Sequence, residues 1–571
     1  MKIINFIRQF VIFLILFFLL CFIFPLSIKA NGASIIRPTW FGKVAGAKTQ
    51  NVLQWKGVPY GGNVSGKNRW QKPINPMPWR NVRKTTSSGT AIQYNGSTVS
   101  GKENQALTLD IYRPDNNQTN LPVMFYVHGG NDQTGSSTEI KGTAFAKAHN
   151  AIVVSVNYRL GALGFNPLPA LKGRGSLNSS GNYGLLDLHQ ALSWVQSNIG
   201  FFGGNGHNIT VSGFSAGGRD VMAMLISPLF KGQFQRAIVF SGGMTTSKVK
   251  PSQEVFEQTF AKTLAPLVVK DKIKPNEIEA QKWLMTKDPK VKQFLDSVNA
   301  STLAKTFGGA GIRMEGFPHL YRDGFVLPKN GFETRNYNQV PVILFSGTHE
   351  FSSFASWDDH FSSWFDDDSI YTDPFKTKQF NFVKRYGGKF YSSFNIEDSA
   401  NKMLQKGYRA PIYGMQMSFG DNSKVVGNQK MGLLGAFHGV WTPLFDVDQA
   451  STTNPPAYTR PGAKKLAIVF QDYLYNFMTG KRLQVSRQPQ IWNDYNQNGK
   501  TLRISASLSK VYSHMEKKNY SYQDVLNEIK TDHTLPRNTK SFLIKNILNG
   551  RWFSKKLDQT YHNESLFEKE N

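Results

Sequence analysis

Five short stretches of the chain are nearly continuous in apolar and β-branched or aromatic residues: 122–127, 152–156, 209–212, 237–240 and 341–345, and 411–419 reads as a further strand. Unbroken apolarity over five or six residues is expected of strands buried on both faces, as in a parallel sheet. Between them the period changes. In 184–199 the apolar residues Leu185, Leu188, Leu192, Val195 and Ile199 step by three and four, which makes one helix face. Ala216–Ile226 is apolar nearly all round and predicts a buried helix. Residues 463–477 repeat the amphipathic pattern and stop before Gly480, a fitting C-cap. Strands alternating with helices predict an α/β fold with a mostly parallel sheet flanked by helices.

The two ends read differently. Lys2 and Arg8 precede a charge-free run over 10–28, with Pro25 and small residues toward Ala30. Residues 1–30 therefore read as an export signal cleaved near Ala30, or as an uncleaved membrane anchor. Beyond about residue 505 the text turns to Lys, Glu, Asn and Tyr with helix-like runs at 522–529 and 541–548. The expected organisation is a signal or anchor over 1–30, one body over 31–505, and a helical C-terminal extension over 506–571.

Composition narrows the chemistry. One cysteine in 571 residues, Cys21, excludes an intrachain disulfide, a cysteine-based zinc site and an iron–sulfur cluster. Export without disulfides suits a bacterial origin, in the periplasm, in the envelope or outside the cell. The formal charge is +28, and 501–571 contributes 12 basic and 8 acidic residues. The excess is not a basic tail and reads as spread over the body, without an aromatic-interleaved Lys/Arg cluster. That speaks against nucleic acid and leaves contact with a membrane or an anionic envelope as the partner beside a small substrate.

The most specific motif is Gly213-Phe214-Ser215-Ala216-Gly217, set between the apolar run ending at Ser212 and the buried helix. A strand-to-helix turn this tight needs small flanking residues and lifts the serine hydroxyl above the sheet edge. The helix behind it turns its positive end toward the same spot, which suits an oxyanion.

Around this turn the chain resembles the type-B carboxylesterase/lipase family, the group that includes the cholinesterases. The resemblance runs from about residue 35 to about 505. It is carried by Gly57-Val58-Pro59-Tyr60, Leu109-Asp110-Ile111-Tyr112-Arg113-Pro114, His128-Gly129-Gly130, Asn157-Tyr158-Arg159-Leu160-Gly161, Gly181-Asn182-Tyr183-Gly184, Phe202-Gly203-Gly204-Asn205 and Gly435-Ala436-Phe437-His438-Gly439. It implies a single α/β-hydrolase domain that needs no metal and no cofactor. It also implies a serine carboxylesterase in which Ser215 is the nucleophile, His438 the base and Glu350 the acid that orients it.

Four departures from the family pattern matter. The acidic loop is shortened and reads Gly347-Thr348-His349-Glu350-Phe351, with His349 where Asp is usual; Asp358, Asp359 and Asp366 are the alternatives to Glu350. The oxyanion hole implied by the resemblance uses the amides of Gly130, Asn131 and Ala216, with Asn131 in place of a third glycine. Phe214 replaces the acidic residue common before the serine, and 89–103 holds neither Cys nor Trp. Both changes point away from choline esters and toward neutral short- to medium-chain esters. A non-catalytic hydrolase-like binding or adhesion protein, and a lipase activated at an interface, are the competing readings. Asp494-Tyr495-Asn496-Gln497-Asn498-Gly499 mimics the start of a calcium loop, but the twelfth position is Ser505 where a bidentate Glu is required.

Overall fold

The computed structural model describes residues 34–173, 175–309, 316–447, 456–486, 490–517, 521–549, 557 and 559–560. The expected N-terminal signal or anchor, with Cys21, lies outside them. No helix among the described residues is long and apolar enough to cross a membrane.

The chain opens with β1 (Ile36–Thr39), β2 (Gly42–Ala45), β3 (Ala47–Thr49), β4 (Val52–Pro59), β5 (Arg83–Lys84), β6 (Gln93–Tyr94) and β7 (Val99–Ser100). There follow β8 (Thr108–Pro114), β9 (Leu121–Val127), β10 (Ile152–Val156), helix α1 (Tyr183–Asn198), β11 (Gly204–Phe214), helix α2 (Ala216–Ile226) and β12 (Arg236–Phe240). The second half carries β13 (Val342–Gly347), α3 (Phe351–Ser356), α4 (Pro374–Ser393), β14 (Ile412–Met417), α5 (Pro461–Met478), β15 (Thr501–Ala506), β16 (Val511–Glu516), α6 (Tyr522–Thr531) and α7 (Arg537–Leu543).

Eleven strands make one sheet in the order β16-β15-β14-β13-β12-β11-β9-β10-β8-β4-β3. From β10 to β15 every neighbour pair is parallel, and antiparallel strands close both edges. This is the α/β-hydrolase architecture. Every residue of β9, β10 and β13 is buried, as their unbroken apolar runs require. Apolar side chains on the two faces feed two large clusters, one under α1 and α2 and one under α5.

The order β10-β9-β11 reverses the direction in which the sheet grows. At such a switch the crossover connections leave by opposite faces, so a crevice opens beyond the carboxyl ends of β9 and β11. The loops after those two strands are His128-Gly129-Gly130 and the serine turn. The sheet does not stop at residue 505, since β15 runs to Ala506 and β16 pairs with it through Glu516.

A third apolar cluster joins the C-terminal extension to the body. Val525, Leu526 and Ile529 of α6 and Leu543 of α7 pack with Phe380, Val383 and Phe390 of α4, and with Phe351 and Phe354 of α3. Tyr386 donates its hydroxyl to Asp532 at 2.7 Å across this seam.

Candidate active site

Strand register assembles the site. Val127 lies opposite Gly213, Phe214 opposite Phe240, and Phe240 opposite Phe345. The chain therefore leaves β9, β11, β12 and β13 at one level of the sheet. Ser215 follows β11 directly, Ser241 follows β12, and the Gly347–Glu350 loop follows β13. Backbone bonds stitch the row together: Ser215 donates to the Phe240 carbonyl at 2.9 Å and Ser241 to the Phe345 carbonyl at 3.0 Å.

Ser215 stands at φ 56° and ψ −117°, at the N-terminus of α2. The left-handed region is strained for any residue with a Cβ, and such strain is kept where the surroundings enforce it. Here close approach enforces it. A Cβ on Gly217 would sit 2.2 Å from the Val127 carbonyl oxygen, and one on Gly213 would sit 2.2 Å from the Gly217 oxygen. Only glycine lets α2 start this close to the ends of β9 and β11. The serine is 9 % exposed, so it is largely screened from open solvent.

Glu350 and His438 come together. His438 Nδ1 meets Glu350 Oε2 at 2.5 Å, with the carboxylate fully buried. The other carboxylate oxygen accepts from Ser241 Oγ and from the Gly347 amide, both at 2.5 Å, and from Ser346 Oγ at 3.3 Å. A buried carboxylate with this many donors is held in one orientation. Its grip on Nδ1 fixes the ring, and Nε2 is buried without a hydrogen-bond partner among the described residues. The structure does not close a hydrogen bond between Ser215 and His438. Of the alternative acids, Asp358 caps the helix after it through the His360 amide, and Asp359 and Asp366 are exposed.

The shortened acidic loop is fastened elsewhere. His349 Nδ1 and Thr348 Oγ1 both bind Asp421 at 2.7 Å, and Asp421 Oδ1 also accepts the Ala436 amide at 3.0 Å. The His349 amide in turn donates to the Ala436 carbonyl at 3.0 Å. One carboxylate thus ties the loop that carries Glu350 to the loop that carries His438. Phe351, where the family has glycine, is fully buried and lies where a Cβ on Gly387 of α4 would collide at 2.3 Å.

Two of the three expected oxyanion donors, Gly130 and Asn131, lie on the loop after β9. Gly130, Asn131 and Asp132 have φ of 99°, 55° and 55°, a curl that turns successive amides to one side. No hydrogen bond to protein occupies the amides of Gly130, Asn131 or Ala216 among the described residues. Beneath the curl, Glu139 accepts the Gly129 amide at 3.0 Å and the Tyr126 hydroxyl at 2.6 Å. Burial outweighs these two bonds and raises its carboxyl to about 7.

Behind the curl lies a buried polar cluster that sequence reasoning did not single out. Arg219, the fourth residue after Ser215, donates to Asn131 Oδ1 at 3.1 Å and lies 3.0 Å from His319 Nε2. Tyr158 donates to Asp132 at 2.9 Å and stacks on His128. Burial lowers His128 and His319 to about 4, so both rings are neutral at pH 7. Asp220, buried beside Asp132, is pushed well above the carboxylate range by burial and by that neighbour. The one sequence signal for this cluster was a charged pair, Arg219-Asp220, inside an otherwise apolar buried helix.

The walls around His438 are aromatic. Phe214 lies 4.5 Å from its ring, Phe354 4.8 Å and Tyr391 5.8 Å, centroid to centroid. The calcium-like stretch turns out to be a helix cap: Asp494 Oδ1 accepts the amides of Asn496 and Ile412 at 2.9 and 3.1 Å.

A sequence profile of the carboxylesterase family matches residues 33–408, which includes Ser215 and Glu350 and ends before His438. The chain is 38 % identical over 219 residues to para-nitrobenzyl esterase of Bacillus subtilis (strain 168), covering 36 % of this chain and 44 % of that one. It is 35 % identical over 228 residues to fumonisin B1 esterase of Sphingopyxis macrogoltabida, covering 38 % and 42 %. To carboxylesterase 1F of Mus musculus it is 32 % identical over 341 residues, covering 54 % and 57 %. The chain thus spans roughly two fifths to three fifths of the length of these curated relatives. Among solved structures, a PNB esterase superposes with a TM-score of 0.65 at 25 % identity, covering 86 % of this chain and 99 % of that one. A thermophilic PNB esterase superposes with a TM-score of 0.67 at 23 % identity, over the same shares.

Proposed function

The chain belongs to the carboxylesterase family, and we propose that it hydrolyses carboxylic esters by two-step acyl transfer at Ser215. The observation that carries this reading is the Glu350–His438 contact of 2.5 Å with Nε2 left unpartnered. A serine hydroxyl is a weak nucleophile until a neighbouring base takes its proton. With Nδ1 committed to Glu350, Nε2 is the basic nitrogen and faces the site. Ser215 Oγ attacks the ester carbonyl while Nε2 accepts the hydroxyl proton. The carbonyl oxygen gains the negative charge and accepts from the amides of Gly130, Asn131 and Ala216. Collapse expels the alcohol, which takes the proton from His438 and leaves an acyl-enzyme. Water, deprotonated by the same nitrogen, then releases the acid.

Phe214 sits against the imidazole in place of a carboxylate, and Phe354 and Tyr391 complete an aromatic wall. Such a wall favours neutral acyl and alcohol groups of short to medium length and offers no anion to a quaternary ammonium. The charge-free run within 1–30 supports reading the chain as exported or envelope-associated. The test is turnover across neutral esters of graded acyl length, with choline esters alongside. Expected are neutral esters as the better substrates and a loss of roughly 10³-fold or more in kcat for Ser215→Ala. Undiminished turnover by that variant would remove Ser215 from the mechanism.

A further inference from the structure

The positive charge is not spread evenly, as the sequence had suggested. Residues 1–102 hold 14 Lys and Arg and no Asp or Glu, so half of the formal +28 lies in the first fifth of the chain. The structure places much of this segment on one surface. Strands β1, β2 and β5 form a small sheet apart from the main one. Arg37, Thr39 and Val44 turn inward and are buried, while Ile36, Lys43, Arg83 and Lys84 are exposed. The loop entering β5 adds Lys72, Ile74, Met77, Arg80 and Val82, all exposed.

These pieces are contiguous. Trp79 lies over Gly42, its indole donating to the Lys43 carbonyl at 2.9 Å, and the Arg83 guanidinium lies 4.1 Å above its ring. Trp40 donates its amide to Asn198 and its indole to Ser197 at the end of α1, and Asn75 accepts from Gln190 one face-repeat earlier on the same helix. The exposed surface between them carries Trp40 at 69 %, Met77 at 77 % and Ile74 at 58 % exposure. None of Lys43, Lys72, Arg80, Arg83 and Lys84 forms an ion pair among the described residues. Helix α1 adds no exposed carboxylate, since its one acid, Asp187, is buried on Arg159.

We infer that this face docks on an anionic lipid bilayer, with the basic side chains at the headgroups and Trp40, Ile74 and Met77 in the interfacial layer. Three features select a bilayer as the occupant. Cations interleaved with Trp and aliphatic side chains suit a layer charged at its surface and apolar beneath. Isolated aromatic and aliphatic tips standing clear of the surface serve insertion better than they serve a rigid protein groove. The charge-free run over 10–28 ends six residues before Ser34, where the described chain enters this sheet beside Ile35 and Ile36. The crevice opens beyond the carboxyl ends of the strands. Trp40 is held at the carboxyl end of α1, the crossover that returns to the start of β11, so docking leaves the crevice uncovered.

The test uses the full chain with Cys21→Ser and a single new cysteine, either Met77→Cys or Ile278→Cys, carrying a polarity-sensitive fluorophore. Ile278 is 67 % exposed between Glu277 and Glu279 and serves as the reference. With phosphatidylglycerol vesicles the label at 77 should shift to the blue and the label at 278 should not. The shift should be smaller with phosphatidylcholine and be lost in Lys72→Glu/Arg80→Glu/Lys84→Glu, which spares the Arg83–Trp79 stack. Equal shifts at both positions, no shift at 77, or the same shift with both lipids would overturn the proposal. An equal shift with soluble polyphosphate would replace the bilayer by a soluble polyanion and overturn it as well.

Discussion

Arg219 donates to the side-chain oxygen of Asn131 across 3.1 Å, fixing from behind the residue that stands where the family has a third glycine. Asn131 holds φ 55°, and the proposed mechanism uses its amide as one of three donors to the nascent oxyanion. Arg219→Met frees that residue to relax toward unstrained backbone. Removing one oxyanion donor costs about 10²–10³ in kcat, and misaiming one should cost less. The expected loss is about 10-fold or more in kcat with KM within about threefold. Asn131→Gly should keep most activity, because glycine adopts the same φ without the tether. Steady-state kinetics on one neutral ester checks both.

Asp421 holds the acidic loop to the histidine loop. Burial raises its carboxyl, but bonds from His349, Thr348 and the Ala436 amide outweigh that and hold it below the usual range. Asp421→Ala should loosen the register of Glu350 against His438. The expected result is a fall of roughly 10-fold in kcat with the fold retained, read by kinetics beside circular dichroism. Unchanged kcat would show that Glu350 is positioned by Ser241, Ser346 and the Gly347 amide without help from Asp421.

Phe214 sets an apolar ring 4.5 Å from the imidazole where the family commonly has a carboxylate. Phe214→Glu puts a carboxylate against the ring. The ratio of kcat/KM for a choline ester to that for its neutral isostere should rise about 10-fold, at some cost in stability from the buried charge. A constant ratio would move substrate selection away from this residue.

Glu397 gives the fold a pH dependence independent of catalysis. It is buried, and burial lifts its carboxyl from 4.5 to about 8. The folded state therefore holds a proton that the unfolded state releases. This contribution is full below pH 4.5 and is lost as pH rises to about 8. Denaturant melts of the wild type should show roughly 2–4 kcal/mol more loss across that window than Glu397→Gln. Parallel curves would contradict it.

The sequence made the parallel strands legible because burial on both faces leaves unbroken apolar runs, and β10 matches its expected span, 152–156, residue for residue. It made Ser215 legible because the turn admits so few residue types. Ser241 and Asp421 were hidden: each acts through a contact more than 70 residues away in the chain, and a lone Ser or Asp carries no local pattern. His349 looked like a defect in the acidic loop until its bond to Asp421 gave it a fastening role. The basic face was hidden by averaging, since a whole-chain charge does not reveal a segment without acids. The C-terminal extension read as helical, but its packing on α4 depends on side chains whose partners lie about 150 residues earlier.

The most direct test is to trap the acyl-enzyme. The full chain is mixed with a slowly deacylating aryl ester or a fluorophosphonate, and the adduct is located by peptide mass spectrometry. The account predicts one adduct per chain on Ser215, formed in step with loss of turnover and greatly slowed in Glu350→Gln. An active chain that acquires no adduct on Ser215, or a Ser215→Ala variant that keeps turnover, would contradict it.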